Sequence, residues 1–556
     1  MIRINCKNNN KTKEFAEGVT FLDIYNGFDL EFKYKPMCVL DCNKRRDLTR
    51  RVYQNTDVEF LTITSSIGLR TYTLGLFFIF YKAVSDLFPG AHVEMANSIS
   101  KGIYCPLNIG RELVQEDIDK IKTRMEKIIS DDIPFVRHKE HTDEVIKVLE
   151  EAGRTDATRL MKTLGRVYGY YYTLDNAADC FFGILPPSTG FIDNYDLIIN
   201  SEEQGFLIRI PNKQNPDILE YPVPQEKMFE IFKEYHAWQR IMEIVTVGDL
   251  NIVCKEKQST NFINIAEALQ AKKIVHIADT ISKRRDEGEK LKIVLISGPS
   301  SSGKTTFSKR LQIQLLANGV FPKVISLDDY FLDRDNTPLD ENGEHDFEAL
   351  SAIDIDFYNK QLKELLDGNT VDLPTYNFKT GKREFNDNKM SLGAGDILIV
   401  EGIHALNPNL MPDIPDEYKF LIYVSALTSI RLDEHNYIPT TDNRLLRRIL
   451  RDYKYRGTTA KETIARWPSV RAGEEKWIFP YQENADVMFN SAMVFEIAVL
   501  KDLVDPILAE VPENCPEFAY ADQLRRFLRL FISIPSQKLP PTSLIREFIG
   551  GSSFRY

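Results

Sequence analysis

The C-terminal half of this 556-residue chain is predicted to be an α/β domain, a mainly parallel sheet flanked by helices. From residue 291 onward, uninterrupted apolar runs such as KIVLIS and DILIVEG have the pattern of strands buried on both faces. A helical segment, KTTFSKRLQIQLLANG, separates the first run from the next strand, KVISL, and we expect Gly319 to cap that helix. Strand–helix alternation of this kind indicates a parallel sheet.

The composition is ordinary for a globular protein of several domains, with 43% hydrophobic and 27% charged residues. The net charge of −11 argues against a protein that coats nucleic acid. The seven cysteines form no CxxC pair, so neither a zinc ribbon nor a redox motif is indicated. The N-terminus has no signal-peptide core, and the longest apolar run, residues 74–84, is far shorter than the ~20 residues that span a membrane. We therefore expect a cytoplasmic enzyme without a membrane partner.

The first half of the chain mixes strand-like and helical patterns. VTFLDIYNGFDLEF and DVEFLTITSS are predicted strands within residues 1–65, and further strands are expected around residues 196–211. Residues 68–89 and 115–130 have helical spacing. Residues 225–290 are also expected to be helical, and their charge run SKRRDEGEK is interpreted as a solvated connector rather than an RNA site.

Residues 298–305, GPSSSGKT, match the phosphate-loop motif G-x-x-x-x-G-K-[ST] completely. The glycines let successive backbone N–H groups point at phosphate oxygens, next to the positive end of the following helix. Lys304 is predicted to bridge the β- and γ-phosphates of ATP, and the Thr305 hydroxyl to ligate Mg²⁺. The predicted ATP-binding residues are Gly298, Pro299, Ser300, Ser301, Ser302, Gly303, Lys304, Thr305 and Thr306. GTP is not the expected substrate, because the chain has no Asn-Lys-x-Asp motif to read guanine.

Carboxylates follow two of the predicted strands. Asp328 and Asp329 come directly after KVISL, where ligands bind in an open α/β sheet. One of them is predicted to accept the proton of an attacking hydroxyl, the alternative being a pair of helix-capping or Mg²⁺-ordering acids. Glu401 ends ILIVEG and is predicted to reach the metal or its water shell, although it could be a simple cap. His404, three residues further on, is assigned no role.

The segment RLLRRILRDYKYRG, residues 444–457, is a predicted helix with arginines at helical spacing, namely Arg444, Arg447, Arg448 and Arg451. Such a helix is either solvated or part of a lid that closes over the transferring phosphate. The negative charge of the whole chain favours the lid.

The motifs GPSSSGKTT, SLDDYF, PTYNF, VEGIHAL and RRILRDYKYRG, in this order, resemble the uridine kinase and phosphoribulokinase family of P-loop kinases over about residues 291–495. The resemblance implies ATP-dependent phosphorylation of a primary hydroxyl, most often the 5′-hydroxyl of uridine or cytidine. It assigns the general base to Asp328 and the ribose contact to Glu348, where Asp is more usual. It assigns the base-binding aromatic rings to Tyr376 and Phe378.

The same resemblance identifies the lid arginines as Arg448, Arg451 and Arg456. Uridine kinases commonly carry a further arginine shortly after the lid, where this chain has threonines, and Arg383 is the residue expected to compensate. Residues 425–443, before the lid, are longer than in simple uridine kinases and are expected to reshape the acceptor pocket.

The N-terminal half resembles parts of threonyl-tRNA synthetase. DVEFLTITSS is similar to the end of its small β-rich TGS domain, and residues 76–105 and 179–192 are similar to its second domain, which edits mischarged tRNA. Leu74, Phe78 and Leu185 stand at the positions of the editing histidines, while Cys180 matches the family cysteine. Without these imidazoles the module lacks a general base and a complete metal set, so it is interpreted as a scaffold or binding domain.

These patterns predict five segments: a TGS-like domain at 1–66, a degenerate α+β editing-like module at 67–220, a helical connector at 221–290, a P-loop kinase domain at 291–512 and a C-terminal extension at 513–556. The chain is predicted to be a homo-oligomeric kinase of pyrimidine nucleosides that uses ATP and Mg²⁺. Two alternatives stay open. One is a kinase of another small alcohol, and the other is an RNA-linked regulatory ATPase whose N-terminal half senses tRNA.

Overall fold

A computed structural model describes residues 1–200, 205–288, 290–339, 343 and 345–555. The N-terminal unit is a five-stranded sheet in the order β2–β1–β5–β3–β4, with β1 and β5 parallel and the other pairs antiparallel. Its elements are β1 (Ile2–Cys6), β2 (Lys11–Phe15), α1 (Phe21–Gly27), β3 (Pro36–Asp41), β4 (Lys44–Arg46) and β5 (Thr56–Thr62). The strand expected at DVEFLTITSS is confirmed by β5.

The prediction that VTFLDIYNGFDLEF is a strand is wrong, because its centre forms helix α1. Thr20 and Asp23 form a capping box: the Thr20 hydroxyl accepts from the Asp23 N–H at 3.1 Å, and the Asp23 carboxylate accepts from the Thr20 N–H at 2.9 Å. The reciprocal cap outweighs the strand preference of the aromatic and β-branched residues in this segment.

The next unit has two small sheets around the long helix α2. One sheet has the order β12–β13–β8–β6, with β7 also paired to β8, and the other has the order β11–β10–β9. Its elements are α2 (Ser66–Leu87), β6 (His92–Val93), β7 (Asn97–Ile99), β8 (Gly102–Asn108), α3 (Gln115–Ser130), β9 (Val136–His141), α4 (Thr142–Glu151), α5 (Thr155–Leu164), β10 (Tyr168–Leu174), β11 (Ala177–Asp179), β12 (Asp196–Asn200) and β13 (Gly205–Arg209).

Helix α2 is the one helix in the described part of the chain that is long and apolar enough to cross a membrane. Within this fold, however, 72% of its most apolar window is buried. Its aromatic residues Phe77, Phe78 and Phe80 belong to the core of the second unit. The helices predicted at 68–89 and 115–130 and the strands predicted around 196–211 are confirmed by α2, α3, β12 and β13.

Three helices lead into the C-terminal domain: α6 (Glu226–Met242), α7 (Val247–Lys255) and α8 (Ser259–Asp286). They confirm the helices expected over residues 225–290. None of the described residues in the charge run SKRRDEGEK is buried, as its interpretation as a solvated connector predicts. Earlier in α8, Ile274, Ile277 and Ile281 are buried against the central sheet and against the helix after the phosphate loop, so this part of the helix is a layer of the C-terminal core.

The central sheet of the C-terminal domain is entirely parallel, in the order β15–β18–β14–β19–β22. Its elements are β14 (Ile293–Ser297), α9 (Lys304–Ala317), β15 (Phe321–Ser326), α10 (Ile355–Leu366), β16 (Val371–Asn377), β17 (Lys382–Met390), β18 (Asp396–Glu401), β19 (Lys419–Ser425), β20 (Arg431–Asp433), β21 (Asn436–Tyr437), α11 (Thr440–Arg456), α12 (Ala460–Trp477), β22 (Val487–Asn490), α13 (Glu496–Ala509), α14 (Phe518–Leu528) and α15 (Arg546–Ile549).

Strand β14 is buried on both faces, as its uninterrupted apolar run predicts. Ile293 and Leu295 point into one apolar cluster, and Val294 and Ile296 point into the cluster on the other side of the sheet. Helix α9 ends at Ala317, and Gly319 follows it with a φ of +77°, which confirms the predicted cap. The predicted α/β fold with a parallel sheet is therefore confirmed.

Candidate active site

The phosphate loop connects β14 to α9, and glycine is required at two of its positions. A Cβ atom on Gly298 would lie 1.9 Å from the carbonyl oxygen of Val424 on β19. Gly303, at the start of α9, has a φ of +86°, which other residues adopt only with strain. These two positions bring the loop backbone close to the carboxyl ends of the strands.

Lys304 begins α9 and extends its side chain back across the loop. Its Nζ donates to the carbonyl oxygens of Gly298 at 2.9 Å and Pro299 at 3.3 Å. Burial lowers the pKa of Lys304, although the carboxylates of Glu401, Asp328 and Glu547 act in the opposite direction. The ammonium group is thus held inside the loop beside several carboxylates, as the phosphate-binding role requires.

The carboxylate of Glu401, at the end of β18, lies next to the loop. It accepts from the Thr305 hydroxyl at 3.3 Å and from the Ser326 hydroxyl at 3.4 Å. Burial, with a contribution from nearby Asp328, raises the pKa of Glu401 to about 7. One of its two partners, the Thr305 hydroxyl, is the other predicted Mg²⁺ ligand, so this contact favours the metal role over a simple cap.

The side-chain oxygens of Thr305 and Glu401 fit Mg²⁺ that is bound together with a nucleotide. They are too few for a metal ion whose ligands all come from the protein. In the described part of the chain, no group of three or more His, Cys, Asp or Glu residues could hold a metal ion. Mg²⁺ in nucleotide sites keeps several waters and binds through one or two protein oxygens together with phosphate oxygens. The Thr305 hydroxyl and the Glu401 carboxylate supply that number of ligands.

The two aspartates after β15 differ in the hydrogen bonds that their carboxylates accept. Asp329 accepts a hydrogen bond from the Tyr376 N–H at 3.0 Å, and burial raises its pKa. The carboxylate of Asp328 makes no hydrogen bond or ion pair with any residue that the structure describes. Of the two carboxylates, Asp328 is therefore the one that is available to accept a proton.

The arginines of α11 fall into two groups, and the first group is not a lid. Arg444 and Arg447 are among the largest fully buried side chains, paired with Glu474 and Glu496 respectively. Arg444 also donates to the carbonyl oxygen of Ser300 at 2.9 Å. The prediction that these two arginines belong to a lid or a solvated face is wrong, because they support the phosphate loop from within the core.

The second group, Arg448, Arg451 and Arg456, surrounds a single carboxylate. All three lie within 3.6 Å of Asp452. Arg448 also donates to the Ser300 hydroxyl of the phosphate loop at 2.8 Å. Three guanidinium groups share this one acid, and donors of this kind suit the oxygens of a bound triphosphate.

The residues predicted to hold the acceptor lie on the elements next to this charge. Burial raises the pKa of Glu348 to about 7, and its Oε2 atom has no hydrogen-bond partner in the described structure. Tyr376 is only 7% exposed and packs edge-on against Phe378, whose ring is 49% exposed. Phe378 is therefore the ring available to stack on a base.

The guanidinium of Arg383 pairs with Asp354 at 2.8 Å, so it is already engaged in a structural contact.

Two acids of this site were missed from the sequence. Glu474 on α12 accepts from the Ser300 N–H at 3.2 Å, and Glu547 on α15 accepts from the Thr306 N–H at 3.2 Å. They follow the loop by more than 170 and 240 residues in the chain. No motif in the sequence connects either acid with the phosphate loop.

The second unit is apolar at two of the positions predicted to correspond to editing histidines. Phe78 and Leu185 are buried, and Phe78 packs against Phe181 with ring centroids 5.2 Å apart. Within residues 425–443, the segment from Arg431 to Tyr437 forms the hairpin β20–β21, which contacts this unit. Asn436 of the hairpin donates to the carbonyl oxygen of Cys180 at 2.8 Å.

Comparison with known proteins places residues 293–498 as a match to the model described as the phosphoribulokinase / uridine kinase family. Uridine kinases from Staphylococcus epidermidis and Staphylococcus aureus are each 30% identical over 208 residues, which is 37% of this chain and 91% of the relative. A solved structure described as a possible uridine kinase from Bacillus stearothermophilus is 20% identical and has a TM-score of 0.24. It covers 36% of this chain and 89% of that chain.

Proposed function

We propose that this chain, whose residues 293–498 belong to the phosphoribulokinase and uridine kinase family, transfers the terminal phosphate of ATP to the 5′-hydroxyl of uridine or cytidine. The proposal rests mainly on two features that occur together at the carboxyl ends of one sheet. One is a complete phosphate loop, and the other is the Asp328 carboxylate, which no described residue binds. An acid in that position serves transfer to an alcohol better than ATP hydrolysis coupled to motion.

In the proposed reaction, the loop amides and Lys304 hold the triphosphate. Thr305 and Glu401 would hold Mg²⁺, and the ion would supply positive charge that offsets the charge of the phosphate oxygens. Asp328 accepts the proton of the acceptor hydroxyl. At the same time the hydroxyl oxygen bonds to the γ-phosphorus, and the bond between that phosphorus and ADP breaks. Arg448, Arg451 and Arg456 stabilise the negative charge that is redistributed over the transferring group.

The choice of a nucleoside as acceptor rests on Phe378 and Glu348. An exposed aromatic ring stacks on a planar base, and an unpartnered carboxylate oxygen accepts hydrogen bonds from ribose hydroxyls. A sugar phosphate would gain nothing from the ring and would be repelled by the carboxylate. The TGS-like and editing-like assignments, the cytoplasmic location and the homo-oligomeric state stay predictions.

The experiment is an acceptor panel with ATP and Mg²⁺, in which the phosphorylated product is identified by mass. The panel contains pyrimidine nucleosides, purine nucleosides and small alcohols without a base. Formation of uridine or cytidine monophosphate supports the proposal. Phosphorylation of a small alcohol alone would replace it with the other kinase class, and ATP hydrolysis without any acceptor would favour the regulatory ATPase.

A further inference from the structure

A large cavity lies away from the phosphate loop, between the N-terminal half and the C-terminal helices. Its volume is about 1240 Å³. Its walls come from β4, the start of α2, the strands β9 and β10, and the helices α12 and α14. None of residues 298–306 lines it, so it is separate from the predicted ATP site.

The cavity is strongly basic in a chain whose net charge is negative. Nine arginines and one lysine line it, against five aspartates and glutamates. Of these arginines, some are neutralised by carboxylates, as in the pair of Arg70 with Asp442 at 2.9 Å and the pair of Arg526 with Asp522 at 2.7 Å. The local excess of positive charge therefore depends on the arginines that have no such partner.

Five lining arginines make no ion pair with any described residue: Arg45, Arg50, Arg137, Arg166 and Arg529. Arg45 is held by one hydrogen bond, from Nη1 to the Gln523 side chain at 2.7 Å, and its Nε is buried without a partner. Burial and the neighbouring charge of Arg70 lower the pKa of Arg45 to about 10. A guanidinium in such a position is destabilising unless an anion accompanies it.

A second pair of cations lies together on the cavity wall. Arg166 donates to the backbone carbonyl of Arg529 at 3.4 Å, and burial together with the charge of Arg529 lowers the pKa of Arg166. Neighbouring arginines that are not ion-paired with acids are suited to binding phosphate, because the planar guanidinium donates two parallel hydrogen bonds to it.

Aromatic side chains line the cavity next to these arginines. Tyr170 lines the cavity, is 38% exposed, and carries the guanidinium of Arg137 at 4.1 Å from its ring centroid. Alternating guanidinium groups and exposed rings bind a nucleotide through its phosphate and its base. The cavity is also larger than a typical small-molecule pocket of roughly 300–1,000 Å³, so it has room for a polyphosphate chain.

We propose that this cavity is a second nucleotide site, in which Arg45, Arg166 and Arg529 bind phosphate groups and Tyr170 contacts the base. The nucleotide is either free or the end of an RNA strand, since both present the same phosphate and base chemistry.

A short chain of contacts links the cavity to the phosphate loop. Arg471 lines the cavity and donates to the Glu474 carboxylate at 2.7 Å. Glu474 in turn accepts from the Ser300 N–H and pairs with Arg444.

The binding test uses the full chain with Lys304→Ala, so that the phosphate loop contributes little. The four ribonucleoside triphosphates, inorganic tripolyphosphate and a short single-stranded RNA are titrated by calorimetry. We expect a nucleoside triphosphate or the RNA to bind, and Arg45→Ala or Arg529→Ala to weaken that binding about tenfold or more. Arg525→Ala is the matched control: Arg525 lies on α14, one turn before Arg529, but it pairs with Asp505 and does not line the cavity.

The outcomes separate the two sources and the alternatives. Arginine-dependent binding of a triphosphate assigns a free nucleotide, and arginine-dependent binding of the RNA alone assigns the end of a strand. The proposal is overturned if neither binds, if tripolyphosphate binds as tightly as every nucleotide, or if the arginine variants leave binding unchanged. Melting curves establish that each variant is folded. If Arg45→Ala does not fold, the Arg529→Ala variant alone is used, because Arg529 is exposed. Because catalysis is not needed, the result is independent of the proposed function.

Discussion

The Glu547 carboxylate accepts two hydrogen bonds from Thr306, one from its backbone N–H at 3.2 Å and one from its hydroxyl at 2.7 Å. Thr306 lies in the first turn of α9, where the positive end of the helix favours an anion. The sequence predicts a nucleotide contact for the same residue. A carboxylate from the C-terminal segment therefore competes with the ATP phosphates for one of the loop amides.

We expect Glu547→Gln to lower the KM for ATP by about threefold to tenfold, since the amide keeps the shape but removes a negative charge worth roughly 1 kcal/mol at a helix N-terminus. The kcat should change little. The measurement is initial rate against ATP concentration, with Glu510→Gln as a control on a surface acid remote from the loop. An unchanged or higher KM would mean that the carboxylate orders the loop rather than competing with ATP.

Asp328→Asn should reduce kcat by on the order of 10²- to 10⁴-fold while ATP binding persists, because the amide cannot accept the proton. Asp329→Asn is the matched control. Its amide oxygen can still accept from the Tyr376 N–H, so we expect a much smaller loss. If the two variants lost equal activity, or Asp329→Asn lost more, the assignment of the base to Asp328 would fail.

Phe378→Ala should raise the KM for the nucleoside by the equivalent of about 1–3 kcal/mol, the usual contribution of a ring stacked on a base. Its melting temperature should stay close to that of the wild type, since the ring is half exposed. Tyr376→Ala removes a buried ring and is expected to lower stability instead. A nucleoside KM unaffected by Phe378→Ala would remove the main support for a base in the pocket.

Glu348 should make stability depend on pH. Its pKa is raised from 4.5 to about 7 in the folded protein, so the folded state binds more protons than the unfolded state between these values. Stability is therefore lost as the pH rises from 4.5 to 7. We expect Glu348→Gln to melt at a higher temperature than the wild type above pH 7, and this gain to vanish below pH 4.5. A gain that is independent of pH would indicate packing rather than ionisation.

Much of this site was predictable because its parts are local. The phosphate loop is one contiguous motif, and Asp328 and Glu401 each follow an apolar strand whose carboxyl end had to meet the loop in a parallel sheet. Helix α1 was also readable, since Thr20 and Asp23 have capping-box spacing, but the aromatic alternation around them suggested a strand.

The rest depends on contacts between distant segments. The spacing of Arg444 and Arg447 is the same as that of Arg448 and Arg451, and only the buried partners Glu474 and Glu496 distinguish supporting arginines from those facing the phosphate. The cavity likewise needs several regions of the chain to meet. Such arrangements leave no periodic signal in any one segment.

The most direct test of the central claim is transfer of labelled γ-phosphate from ATP to uridine by the full chain, compared with 5′-deoxyuridine under the same conditions. The two acceptors share the base and the other ribose hydroxyls, and they differ only in the oxygen that Asp328 is proposed to deprotonate. The account predicts labelled uridine 5′-monophosphate from uridine, no transfer to 5′-deoxyuridine, and no product from uridine with Asp328→Asn. Absence of transfer to both uridine and cytidine, with efficient transfer to another alcohol, would contradict it.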